Sequence, residues 1–124
     1  MRLTDLDPVA LARRIKPCGP GPDCSVISPH TEHEVHEPCA LADCDGIMFL
    51  CPKCFAENGG PRGTHVVICW RPRVPPDVDP KPGRWEIVGS SFDDLSLVAG
   101  SSSVLLRGGC NAHFFIEKGA VRMC

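Results

Sequence analysis

The sequence predicts a mainly β fold: a small antiparallel sheet, preceded by a short N-terminal helix and an irregular arm rich in cysteine and histidine. Three observations predict it. Thirteen prolines and twelve glycines in 124 residues punctuate the chain too often for long helices. The apolar residues of the C-terminal two thirds fall in short runs bounded by turn residues, as strands do. Two tight turns carrying cysteine, "CPKC" at 51–54 and "CNAH" at 110–113, each stand beside such a run.

In chain order, the first predicted element is the helix. Asp7 can cap it, Pro8 suits its first position, and Val9, Leu11, Ala12 and Ile15 fall on one face. Leu6 and Leu11 stand where a hydrophobic staple would put them, and Pro17 ends the element. Residues 17–45, "PCGPGPDCSVISPHTEHEVHEPCALADC", hold Cys18, Cys24, Cys39 and Cys44 with His30, His33 and His36 and almost no large apolar side chains. Such a stretch buries too little surface to order itself, so a metal, a disulfide or a partner is expected to order it. This divides the chain into an arm over residues 1–45 and a β domain over residues 46–124.

Strands are predicted from residue 46 onward. "GIMFLC" (46–51) leads into the first cysteine turn, and "THVVICW" (64–70) reads as a buried strand. The tract 71–83 has five prolines and reads as an extended connector. "RWEIVG", "DLSLV" and "SVLLRG" are three further short strands. "HFFIEKGAVRM" (113–123) is a hairpin turning at Glu117-Lys118-Gly119, where Gly119 can adopt positive φ.

Charge and composition narrow the function. The net charge is −2, which argues against a general nucleic-acid binder. No run approaches the ~18 apolar residues of a membrane span. The start, "MRLTDLDP", has acids where a secretory signal would be apolar, so a cytosolic chain is expected. Nine cysteines in a reducing compartment point to metal rather than to a disulfide framework.

The two cysteine turns supply the ligands. Together they read C-x2-C-x55-C-x2-H, with Cys51, Cys54, Cys110 and His113 as a closed tetrahedral set. Three thiolates and an imidazole are the donors of structural zinc, and their softness argues against calcium or magnesium. A second metal site or a disulfide can be drawn from Cys18, Cys24, Cys39 and Cys44, with His36 as a further donor. Their spacing matches no standard zinc module, and "HTEHEVH" reads equally as a solvated polar strip.

"GIMFLCPKCFAENGGPRGTHVVICW", "PGRW", "DDLSL" and "GGCNAHFFIEKGAV" together resemble a family of small proteins of unknown function encoded mainly by tailed bacteriophages and prophages. The resemblance spans about residues 45–124. It implies a phage origin, supports the same four ligands, and marks His65 and Trp70 as further matching positions. The stretch "VAGSSSVLL" departs from the family pattern, and the Cys/His arm lies outside it.

Few residues suggest catalysis. A filled zinc site keeps no position open for water. His65 reads either as a strand histidine bonded to its neighbours or as a spare ligand or base beside the metal. His65 and Cys69 lie about 13 Å apart along one strand, too far for a nucleophile–base pair. Asp93 and Asp94 read as residues leading into a strand, "NGGPRG" as a turn, and Trp70 and Trp85 as packing residues. The expected function is a non-enzymatic, zinc-stabilised phage protein acting through protein–protein contacts. Its specific form is a virion accessory component such as a capsid cement or decoration protein, made in the host cytoplasm. The alternatives are a metal-assisted hydrolase using His65 or Glu57, and an intracellular phage zinc protein that binds a host protein or nucleic acid.

Overall fold

The computed structural model of the chain describes residues 1–17, 32–80, 83–98, 104–106 and 110–124. The predicted mainly β, antiparallel architecture is what these residues form.

The N-terminal prediction needs correction. A 3-10 helix, Leu3–Leu6, opens the chain and stops at Asp7, which takes the left-handed conformation (φ 50°). The α-helix expected from residue 8 is instead strand β1, Val9–Pro17. Its apolar residues serve two faces: Ala10 enters the main core, whereas Leu11 joins a second cluster on the opposite side. A strand buried on both faces loses the simple alternation that marks strands in a sequence.

Part of the supposedly irregular arm is also regular. Residues Glu32–Pro38 form strand β2, paired antiparallel with β1 from Leu11↔Pro38 to Pro17↔Glu32. Strand β3 (Gly46–Leu50) pairs with the other side of β1, and β4 (Val66–Trp70) with β3. The resulting sheet runs β2-β1-β3-β4. The described residues of the first 45 therefore share a sheet with those that follow, and Leu3, Leu6, Ala10 and Cys44 share their core. They are not an appended arm. Cys18, Cys24 and His30 lie outside the described residues.

Helix α1 (Pro52–Asn58) follows β3 directly, with Pro52 in its first turn and Gly59 closing it at φ 69°. After β4 come a two-stranded sheet, β5 (Glu86–Val88) with β6 (Ser96–Val98), and a three-stranded one, β7 (Val104–Leu105), β8 (His113–Glu117) and β9 (Ala120–Met123). The β8–β9 hairpin turns at Lys118-Gly119, both at positive φ, as the sequence predicts for Gly119.

One face of the four-stranded sheet, carrying Ala10, Ile47, Phe49, Val67 and Cys69, packs on Ile87, Leu97, Phe114, Ile116 and Val121 of the smaller sheets. The Phe49 and Phe114 rings meet edge to face, with centroids 6.0 Å apart. Its other face buries Trp70 and Leu11 beneath Val74 of the proline-rich connector. Close approach there requires Gly46: a Cβ at that position would fall 2.5 Å from the Trp70 ring. No helix among the described residues is long and apolar enough to cross a membrane.

Candidate metal centre

The β3–β4 register builds half of the site. Leu50 pairs with Val66, and the next step of the ladder sets Cys51 opposite His65, with the Cys51 N–H donating to the His65 carbonyl at 2.9 Å. Directly opposed residues of an antiparallel pair point to the same face. Here that is the face of Phe49 and Val67, toward the main core. Cys51 is buried there, and His65 stands exposed at the sheet's end.

Cys54 comes from the first turn of α1, which begins immediately after Cys51 and whose Phe55 N–H donates to the Cys51 carbonyl. One helical turn brings the two thiols of a C-x2-C pair to the same side. Cys110 arrives beside the three-stranded sheet, on the loop leading into β8. That loop is held by the Leu106 N–H donating to the Ala112 carbonyl and turns through Asn111 at φ 53°.

The ligand atoms of Cys51, Cys54, His65 and Cys110 all lie within 4.8 Å of one another. Cys51 Sγ and Cys110 Sγ are 3.7 Å apart, and His65 Nε2 is 3.3 Å from Cys110 Sγ. Donors on a tetrahedron with bonds of about 2.3 Å to sulfur and 2.0–2.1 Å to nitrogen stand about 3.5–3.8 Å apart. The cluster is close to that size, so this Cys3His set can hold a metal ion. His65 Nδ1 lies 3.2 Å from the Val66 carbonyl. In the neutral ring a proton there donates to that oxygen and leaves Nε2 as the lone-pair nitrogen facing the thiols, as ligating histidines are commonly oriented, whereas in the protonated ring Nε2 donates to Cys110 Sγ.

Three of the four residues predicted as ligands are thus brought together, and His113 is not among them. The reason is strand alternation. β8 starts at His113 and points Phe114 and Ile116 into the core, so His113 and Phe115 lie on the opposite face, their rings stacked at 6.4 Å. The three cysteines pack against the core side instead. His65 takes the fourth place. The signal for it lay in the register that makes Cys51 and His65 cross-strand partners.

The electrostatics favour a shared negative charge. Burial opposes ionisation of Cys110, but hydrogen bonds from the His65 ring, the Ala112 N–H and the Cys51 and Cys54 thiols outweigh it and bring its pKa down to about 7. Cys54 is pushed up to about 12, by burial and then by its bonds to Cys110 and Cys51. The bond to Cys110 raises the pKa of His65.

The residues considered for a second site do not form one among the described residues. Cys39 and Cys44 are free thiols. Cys44 is buried, and its Sγ accepts from Arg71 Nη2 at 3.5 Å. His36 packs edge-on against Trp70, with centroids 5.0 Å apart, and lies 3.8 Å from Glu34. Asp94 accepts bonds from Ser90 and Ser91 and caps the turn before β6. Glu57 is exposed on α1.

Comparison with known proteins found no match among family models, curated proteins or solved structures.

Proposed function

We propose that this chain is a zinc-stapled β protein that acts through protein–protein contacts rather than catalysis, and that it serves a tailed phage as a virion accessory component, such as a capsid cement or decoration protein. The observation that carries the non-catalytic reading is the completeness of the donor set. With Cys51, Cys54, Cys110 and His65 all converging, a tetrahedral ion has four protein ligands and no position reserved for water. Zinc fits three thiolates and an imidazole better than a hard cation does.

The centre's role is then mechanical. It joins the β3–α1 junction and the start of β4 to the loop before β8, so one ion ties the four-stranded sheet to the three-stranded one. Sites of this type contribute on the order of 10–16 kcal/mol in zinc peptides, comparable to a small domain's whole stability. The hydrolase alternative asks His65 to act as a base beside the metal. Its Nε2 faces Cys110 and its Nδ1 faces the Val66 carbonyl, which leaves neither nitrogen for a substrate. The phage and virion part of the reading rests on the resemblance of residues 45–124.

Three measurements test the proposal. Metal analysis of protein purified without chelators should give a single zinc per chain, and a strong chelator should lower the midpoint of the cooperative unfolding transition. Quantitative mass spectrometry of purified particles should find many copies per virion. Metal-free protein as stable as the loaded form would overturn the staple, and particles devoid of the chain would overturn the virion role.

A further inference from the structure

Three of the four ligands are placed by local structure: Cys51 and His65 by the β3–β4 ladder, Cys54 by the first turn of α1. Cys110 is different. It lies 56 residues beyond Cys54, beside a separate sheet and on a loop outside the strand ladders. Something must hold that loop against α1 if the third thiolate is to meet the other donors before a metal arrives.

Lys53 stands between the two cysteines of the C-x2-C pair. Its side chain is half-buried, and its Nζ donates to the backbone carbonyl of Cys110 at 2.6 Å. The contact crosses the gap that the metal would close. It also has an electrostatic consequence. A dication with three thiolates and a neutral imidazole leaves a net charge of −1, and the Lys53 ammonium sits one carbonyl away from the ligand that carries part of it.

We propose that Lys53 is a positioning residue for the metal centre: it latches the Cys110 loop onto α1, presets the third thiolate and offsets the negative charge of the loaded site. This inference rests on the metal-centre reading above. Because the latch does not depend on the ion, it holds Cys110 near the other donors in the metal-free protein. It also slows the dissociation of the one ligand that comes from outside the β3–α1–β4 unit.

The test is zinc affinity of the full chain, by competition with a chromophoric chelator, for the wild type and for Lys53→Met and Lys53→Arg. Lys53→Met should bind zinc about 10-fold more weakly, the lower range for loss of an outer-shell contact. Lys53→Arg, which keeps charge and donors, should recover most of that loss. At saturation, cobalt-loaded Lys53→Met should show the wild-type absorption spectrum, because the four ligands are unchanged, while its metal leaves faster. A general loss of structure would alter that spectrum. Should Lys53→Met not fold, Lys53→Gln, too short to reach the Cys110 carbonyl, should show the same loss. Wild-type affinity in Lys53→Met or Lys53→Gln overturns the latch, as does a Lys53→Arg protein as weak as Lys53→Met. A wild-type chain that binds no metal overturns the centre itself, and the wild-type titration reads that first.

Discussion

Cys51 and His65 face each other across β3 and β4, one ladder step beyond the Leu50↔Val66 pair, with the Cys51 N–H on the His65 carbonyl at 2.9 Å. A residue pair held this way needs no metal to stay together. The centre is therefore half preformed by a sheet register, which lowers the ordering cost of ligation.

Metal binding should be strongly proton-linked. In the metal-free protein Cys54 holds its proton throughout the neutral range, since its pKa is pushed up to about 12, and binding must displace it. Each displaced proton makes affinity fall about tenfold per pH unit of acidification. Cys110, at about 7, adds a further displaced proton below neutrality, and His65 with its raised pKa adds to it. A plot of log affinity against pH should therefore steepen as pH falls below about 7. Chelator competition across pH 6 to 9 measures the slope, and a flat profile would contradict this ligand set.

Arg84 should govern the proline-rich connector. Its guanidinium donates to the carbonyls of Val74, Pro75, Val78, Pro80 and Gly83, and the Trp70 indole N–H donates to Asp79 O at 2.8 Å in the same loop. Lysine has no planar fork to satisfy such a ring of acceptors. Arg84→Lys should release the loop from Trp70, shifting Trp70 emission to the red in a Trp85→Phe background and raising hydrogen exchange over residues 71–80. The metal centre should be untouched.

Asp45 should make stability pH-dependent on the acid side. Burial raises its pKa, but the Arg13 N–H at 2.7 Å and the Arg73 guanidinium at 3.0 Å outweigh it and hold the carboxyl below its ordinary range. A folded pKa below the unfolded one gives stability that is fully present above the unfolded value, near 3.9, and lost as pH falls through the folded one. Asp45→Asn should cost about 1–2 kcal/mol at pH 7 and flatten the acid limb of the stability profile. Urea titrations at pH 7 and in acid read both.

Gly119 should resist substitution. Its φ is 77°, and a Cβ there would lie 2.1 Å from the Asp93 carbonyl oxygen. Gly119→Ala should lose more than about 1 kcal/mol, since strain and clash add to the usual cost of positive φ. A Gly119→Ala protein with wild-type stability would contradict the tight docking of this hairpin on the turn before β6.

Much of the β architecture was legible because short apolar runs between turn residues map onto β3, β4 and β8–β9. The N-terminal strand was not. Asp7-Pro8 has the chemistry of a helix start, and β1 divides its apolar residues between two cores, so helical spacing arose by coincidence. Strand β2 was invisible for another reason. Its sequence alternates glutamate with histidine and offers little apolar surface, and what orders it is the backbone ladder to β1, with Arg13 paired to Glu34. The site was three-quarters legible from cysteine spacing. The fourth ligand was obscured because His113 has the conventional spacing from Cys110, and only the β3–β4 register reveals that His65 faces Cys51.

The most direct measurement is therefore zinc affinity and stoichiometry of His65→Ala and His113→Ala beside the wild type. His113→Ala should bind one zinc with wild-type affinity. His65→Ala should lose more than the roughly 100-fold upper range of a change outside the ligand set, with a cobalt spectrum that no longer reports three sulfurs and one nitrogen. Wild-type binding by His65→Ala, with loss in His113→Ala, would contradict His65 as the fourth ligand.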